Sequence, residues 1–336
     1  MGYGTGMLTV GLKENMSSAG ARDLRVVAIG GGTGLSTLLR GFRKRTSHTT
    51  AVVTVTDDGG SSGRLREELG VLPPGDVRNC LVALADDESL MGALFSHRFT
   101  TGSLEGHSLG NLFLAALTQI LGDFDKAVRE SSKVLAIRGT VLPSTTHDVR
   151  LHSHLQDGTY VQGETSISAS AGAVSRVWLE PADCRALPLA LERIAEADVV
   201  VLGPGSLYTS VIPNLLVGGV REALVNSSAS VIYVANVMTQ PGETPGYSAG
   251  DHLDALIRHV GEGVVDAMLV NSSPIPSDLL HRYADLGAEP VLWLGTGTDY
   301  RGVRIVEGPI SEVDGQVRHN PDELVAWVVR MGGVAG

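Results

Sequence analysis

Leu24-Arg25-Val26-Val27-Ala28-Ile29-Gly30-Gly31-Gly32-Thr33-Gly34-Leu35 is the stretch that decides the fold. A mainly apolar run over 24–29 leads into a glycine turn and then into a helix-like run over 35–42. Strand, glycine turn and helix in that order make a phosphate-binding element. Glycines let the backbone turn tightly and approach a ligand with no Cβ in the way. The unpaired N–H groups at the helix start then point at an anion. Gly31, Gly32 and Thr33 are thus the first candidate ligand contacts. A plain βα turn is the competing reading of this loop taken alone.

The loop departs from the familiar fingerprints. G-x-G-x-x-G/A counted from Gly30 meets Leu35 at its last position, and the Gly-Lys-Ser/Thr of a P-loop is missing its lysine. A second glycine loop, Gly203-Pro204-Gly205-Ser206-Leu207-Tyr208-Thr209-Ser210, strengthens the phosphate reading. It ends the most apolar run of the chain, 198–202. Gly203 and Gly205 open its backbone, and Ser206, Thr209 and Ser210 offer hydroxyls at a helix start.

With 336 residues the chain is long enough for one large α/β domain or for such a domain with a sub-domain. A net charge of −11 without a long basic stripe argues against nucleic-acid binding. Arg40, Arg43, Lys44 and Arg45 cluster where the first helix ends, a placement that suits the helix dipole. Two cysteines, Cys80 and Cys184, make neither a zinc site nor a disulfide framework, so a reducing cytoplasm is expected. No apolar run approaches the roughly 20 residues needed to span a bilayer, so no membrane insertion is expected. Residues 1–23 read as a disordered leader, and 24–336 as a single α/β domain.

The first half alternates strand and helix. A second strand, 51–55, ends in Thr56-Asp57-Asp58-Gly59-Gly60-Ser61-Ser62-Gly63, after which a helix is expected over 64–69. Asp76 is placed to cap a helix over 77–85. A strong amphipathic helix spans 109–120. The middle differs: 149–161 and 175–179 suggest a short antiparallel hairpin insertion with its turn at Asp157-Gly158. The second half then returns to strands at 198–202, 231–235, 264–270 and 290–294, with helices over 187–197, 251–260, 277–286 and 321–331. This rhythm predicts a Rossmann-like, doubly wound, mainly parallel sheet. Ligands of such sheets sit outside the carboxyl ends of the strands, where every unusual loop named here falls.

Asp57 and Asp58 close the second strand, where carboxylates hold a divalent cation such as Mg2+ or a ligand's hydroxyls. An Asx turn is the structural alternative. Ser61 and Ser62 add hydroxyls, and Arg78 suits either a bidentate phosphate contact or a surface ion pair. His152 and His154 share a strand face but lack a third metal ligand at suitable spacing. No Ser-His-Asp triad or nucleophile elbow is present in the pattern.

Taken together, the two glycine loops, Thr56–Arg66, Pro74-Gly75-Asp76-Val77-Arg78-Asn79-Cys80, Gly106-His107-Ser108-Leu109-Gly110-Asn111-Leu112 and Thr239-Gln240-Pro241-Gly242-Glu243-Thr244 resemble the CofD superfamily, and within it the YvcK-like gluconeogenesis factors. The resemblance runs in order from about 24 to 330. It implies a Rossmann-like fold and one of two activities. CofD proteins transfer 2-phospho-L-lactate from a nucleotide-linked donor to a deazaflavin, with a divalent metal. YvcK-like proteins are cytoplasmic and bind UDP-sugars, notably UDP-N-acetylglucosamine, without a required cofactor. They are linked to central carbon metabolism, cell-wall synthesis and cell shape. The Asp57-Asp58 and Thr239–Thr244 strings resemble the YvcK branch. That branch implies Tyr283 and Arg318 in the sugar-nucleotide site; Asn236, ending the strand over 231–235, is expected to line the same crevice, and Asn111 is a further candidate ligand residue. It also implies a regulatory protein partner or a serine/threonine kinase, whose threonine is replaced here by Asn320-Pro321. The apolar helices permit a homodimer. An NAD(P) oxidoreductase is the remaining alternative, and the imperfect fingerprint speaks against it.

Overall fold

A computed structural model describes residues 24–85 and 90–333. The expected leader, 1–23, lies outside the described residues. The strands are β1 (Val26–Gly30), β2 (Thr49–Val53), β3 (Thr140–Pro143), β4 (Arg150–Leu155), β5 (Tyr160–Gln162), β6 (Val174–Glu180), β7 (Val199–Leu202), β8 (Ser230–Val234), β9 (Ala267–Asn271), β10 (Asp299–Tyr300), β11 (Val303–Gly308), β12 (Ser311–Val313) and β13 (Val317–His319).

Eight of them form the main sheet in the order β10-β11-β9-β8-β7-β1-β2-β3. All its pairings are parallel except β10 with β11. The chain walks outward from β1 to β2 and β3, then returns to the other side of β1 with β7 and walks outward again. Strand order therefore reverses between β1 and β7, and a crevice opens outside their carboxyl ends. β1, β2, β7 and β9 are buried along their whole length, as parallel strands covered on both faces must be. Their apolar runs thus show no alternation.

Helix α1 (Gly32–Arg43) follows β1 directly and buries Leu35, Leu38, Leu39 and Phe42. The spacing of three and four residues makes one apolar stripe, which holds the helix on the sheet. That fixes where its first turn points. Helices α2 (Gly60–Leu69) and α3 (Gly75–Leu84) follow β2. The insertion is a three-stranded antiparallel sheet, β5-β4-β6, larger than the expected hairpin but at the expected place. A short helix, Glu164–Ser168, links β5 towards β6.

Four local expectations change. The helix expected over 64–69 begins at Gly60, which places Ser61 and Ser62 in its first turn instead of in a loop. Asp76 does not cap a helix. It lies inside the first turn of α3, whose N-cap is Pro74. No strand forms over 290–294. That segment crosses the carboxyl ends of the strands, with Val291 N bonded to Val237 O and only Pro290 bridged to Met238. The edge of the sheet is built instead by β10 and β11, and β11 alternates buried and exposed residues as a strand near an edge does. β3 also went unforeseen; it is four residues long and closes the opposite edge.

Candidate functional site

Three loops and one outer wall enclose a cleft of about 400 Å³ at the switch point, within the size range of small-molecule sites. Gly31, Gly32, Thr33 and Gly34 come from the β1 turn, and Pro204, Gly205, Ser206 and Ser210 from the β7 turn. Asn236 to Gln240 come from the loop after β8. Tyr283, from helix Ser277–Asp285, and Val317, Arg318 and His319, from β13, form the outer wall.

The two glycine loops touch backbone to backbone. A Cβ on Gly34 would lie 2.4 Å from Pro204 O, and one on Gly31 would lie 2.5 Å from Asp76 Oδ2. Only glycine permits this approach. The turn after β7 begins at Gly203, with φ +78°, and continues into a π-helical turn, Leu207–Val211. Asn214 ties the loops together, donating to both Gly30 O at 3.1 Å and Ser210 O at 2.7 Å.

Charge within the cleft is one-sided. Arg40 and Arg318 line it, and no carboxylate does among the described residues. In a chain of net charge −11 this selects an anion. Arg40 was read from sequence as a cation for the helix dipole. The structure keeps it in the last turn of α1 and also puts it on the same helix face as Thr33 and Thr37, the latter also lining the cleft. The spacings of four and seven residues from Thr33 are the signal that identifies both.

An amide chain crosses the cleft floor. Asn236 Nδ2 donates to Gln240 Oε1 at 2.9 Å, and Gln240 Nε2 donates to Ser206 Oγ at 2.8 Å. On the outer wall Tyr283 Oη accepts from Val317 N at 3.1 Å, and Arg318 reaches Gln316 Oε1 at 2.8 Å. This wall rests on its own apolar cluster of Val237, Met238, Leu279 and Val317, packed by Ile275 and Tyr283. His319 is buried, and desolvation pushes its pKa down to about 4. The neutral ring must donate through Nε2 to Ala235 O, at 3.1 Å, which leaves Nδ1 as an acceptor. Ser210, one of the hydroxyls expected of the second glycine loop, is in the cleft; sequence reading missed Thr37, Gln240 and His319, although Gln240 stands inside a string quoted for the resemblance.

Of the sequence-predicted residues, the cleft gathers Gly31, Gly32, Thr33, Gly205, Ser206, Asn236, Tyr283 and Arg318. It does not gather the others. Gly203 shapes the turn behind it, and the Thr209 hydroxyl faces inward to Glu243 Oε1 at 2.9 Å. Ser61 Oγ pairs with His107 Nδ1 at 2.9 Å and accepts from Asn111 Nδ2 at 3.1 Å. Ser62 Oγ accepts from Gly75 N at 3.1 Å, and Arg78 donates to the adjacent Asn79 at 2.6 Å.

Asp57 and Asp58 turn to different partners. Asp57 accepts from Gly59 N at 2.9 Å, an Asx turn, and Asp58 Oδ1 accepts from Thr165 N at 2.9 Å and Thr165 Oγ1 at 2.8 Å. Among the described residues no three His, Cys, Asp or Glu side chains are grouped so as to hold a metal ion. The two carboxylates are thus directed to separate protein partners.

Behind the first glycine loop two buried carboxyl groups, Asp76 and Glu164, have raised pKa values. Burial foremost, then the Asp57 charge, lifts Asp76 from 3.8 to about 6. Burial likewise raises Glu164, helped by Asp76, Asp57, Glu243 and Asp58. The folded pKa of Asp76 exceeds its unfolded value. Its contribution to stability is therefore complete below about pH 4 and is lost as pH rises to about 6. Asp76→Asn removes that loss. The variant is expected to gain on the order of 2 kcal/mol over the parent between pH 4.5 and pH 7. Urea unfolding of both proteins at the two pH values checks this; a difference independent of pH contradicts it.

Compared with known proteins, the chain matches the family model described as 2-phospho-L-lactate transferase CofD over residues 26–311. The chain belongs to the CofD family. Among its curated relatives, the protein named gluconeogenesis factor from Halalkalibacterium halodurans is 51% identical, covering 89% of this chain and 94% of the relative. The gluconeogenesis factor of Bacillus subtilis is 47% identical, covering 91% and 97%. A crystal structure of a protein from Bacillus halodurans superposes with a TM-score of 0.88 at 50% identity, covering 92% of this chain and all of that one. The fold and the gluconeogenesis-factor branch of the family are thereby established. Among the described residues no helix is long and apolar enough to cross a membrane.

Proposed function

We propose that the switch-point cleft binds a nucleoside-diphosphate sugar of the UDP-N-acetylglucosamine type, and that the protein acts as a regulator of carbon and cell-wall metabolism in the cytoplasm rather than as an efficient enzyme. The observation that carries this reading is the pairing of two helix-start glycine loops with Arg40 and Arg318 in a cleft free of carboxylates. Backbone N–H groups of both loops take the diphosphate, as helix starts take anions elsewhere. The arginines neutralise its two charges. Tyr283 stacks on a ring, and the Asn236–Gln240 amides offer donors and acceptors to a base or sugar. The regulatory role and the UDP-sugar follow from the resemblance to YvcK-like proteins.

Calorimetry and thermal shift with UDP-N-acetylglucosamine, UDP-glucose, NAD+, GDP and GTP, each with and without Mg2+, test the reading. A ligand at 100 times its Kd stabilises the fold by about 2.7 kcal/mol. Selective UDP-sugar binding without turnover is the expected result. Arg318→Ala is expected to cost on the order of 2 kcal/mol of binding as a lost charge-assisted phosphate contact. Undiminished affinity in that variant removes Arg318 from the site.

A CofD-type phosphotransferase is the second reading, favoured by the acidic group of Asp57, Asp76 and Glu164 beside the first glycine loop. It predicts guanine-nucleotide binding that needs Mg2+, and turnover of a nucleotide-linked phospholactate.

A further inference from the structure

A second, smaller hollow of about 220 Å³ lies between the loop after β2 and the three-stranded insertion. Thr56, Asp58, Arg66, Arg150, Gln162 and Gly163 line it. The main cleft shares none of these residues.

Arg66 is the informative member. It stands in α2 with only 4% of its surface exposed. Its Nη2 atom is used fully, donating to Val149 O at 2.5 Å and to the Asp148 carboxylate. Its Nε and Nη1 are buried and have no hydrogen-bond partner. A buried cation is costly unless paired, and Asp148, whose side chain is 66% exposed, spends most of its charge on solvent. Buried donors without partners are rare in native proteins and commonly mark the place of an ion or water. Arg150, on β4, brings a second guanidinium to the same hollow and makes no hydrogen bond or ion pair within the described residues.

Asp58 narrows the ligand further. Its Oδ1 is occupied by Thr165, while Oδ2 lies against Gly163, where a Cβ would approach to 2.0 Å. Gly163 adopts φ +92°, and its lack of a Cβ is what lets Asp58 Oδ2 sit there. Two guanidinium groups call for an oxyanion, and a carboxylate among them calls for a proton donor on that oxyanion. Hydrogenphosphate has both. Sulfate, fully ionised at neutral pH, offers Asp58 only lone pairs.

We propose that this hollow is a binding site for hydrogenphosphate, held by Arg66 and Arg150 and selected over sulfate by Asp58. The insertion and the β2 loop then meet across a bound anion, so phosphate also fastens the insertion to the core.

The test is thermal unfolding of the full chain titrated with inorganic phosphate or with sulfate, at ionic strength matched with chloride because exposed charge effects are screened by salt. Wild type is expected to be stabilised by phosphate, with sulfate at least tenfold weaker. Arg150→Gln, at a half-buried residue without protein partners, is expected to fold and to weaken phosphate at least tenfold. Arg318→Gln, in the main cleft, is expected to leave the Arg150-dependent part of the phosphate response unchanged, which separates this site from the nucleotide reading. Asp58→Asn is expected to bring sulfate within a few-fold of phosphate. The proposal is overturned if phosphate gives no stabilisation, if the response survives Arg150→Gln, or if sulfate equals phosphate in wild type.

Discussion

Glu243→Ala is expected to lower the unfolding free energy by about 4 kcal/mol, because it orphans two buried donors at once. Glu243 is 1% exposed. Its Oε1 accepts from Ser168 Oγ at 3.0 Å and from Thr209 Oγ1 at 2.9 Å. Its Oε2 accepts from Tyr208 N at 3.2 Å. One carboxylate therefore joins the π-helical turn after β7 to the insertion. Without it the buried Tyr208 N–H and Thr209 hydroxyl lose their acceptor where water does not reach, while the exposed Ser168 hydroxyl can turn to solvent. Glu243→Gln keeps one oxygen, but its amide nitrogen cannot accept from Tyr208 N, so about half of the loss is expected to remain. Equilibrium urea unfolding of the three proteins measures this. A loss under 1 kcal/mol for alanine means that the turn is held by other contacts. Since Ser206 and Ser210 ride on the same turn, ligand affinity is expected to fall with stability.

Gly34→Ala is expected to cost about 3 kcal/mol, at the upper end for forcing atoms into a packed interior. The new Cβ meets Pro204 O at 2.4 Å, Pro204 C at 2.8 Å and Gly205 N at 3.1 Å. All three belong to backbone, so no side chain can rotate out of the way, and the two loops must separate. Nucleotide affinity is expected to drop at least 100-fold, since the separation removes both loops from their common ligand. Gly30→Ala is the control. Its Cβ would meet nothing nearer than 3.6 Å, an ordinary contact, so it is expected to fold and bind normally. Equal behaviour of the two variants, in unfolding and in calorimetry, contradicts the close-approach argument.

Much of the fold was legible because the parallel strands are short apolar runs between glycine turns and periodic helices. The turns after β1 and β7 announce themselves, since an anion-binding backbone needs glycine at fixed places. Other parts were hidden for physical reasons. The segment 290–294, Pro-Val-Leu-Trp-Leu, has the composition of a strand, yet its neighbours across the strand ends draw it into an irregular path. β11 reads as ordinary alternating sequence, and nothing local says that it pairs with β9. The carboxylates were legible as a group but not as to direction. Asp57 satisfies its own loop, Asp58 reaches 107 residues ahead to Thr165, and Asp76 turns back beneath Gly31.

Local chemistry was thus determined by the sequence itself: strand–glycine–helix units, their order along the chain, and the family to which the motifs belong. Backbone sterics and apolar periodicity act over a few residues, so a few residues suffice to read them. The tertiary structure alone decided which loops share a cleft. Gly34 meets Pro204, Arg40 and Arg318 face one anion site, and Arg66 is left with unpaired donors beside Arg150. Those outcomes depend on the reversal of strand order between β1 and β7 and on where the insertion docks. Contacts between residues more than a hundred positions apart are set by packing of the whole core, which no single stretch of the chain encodes.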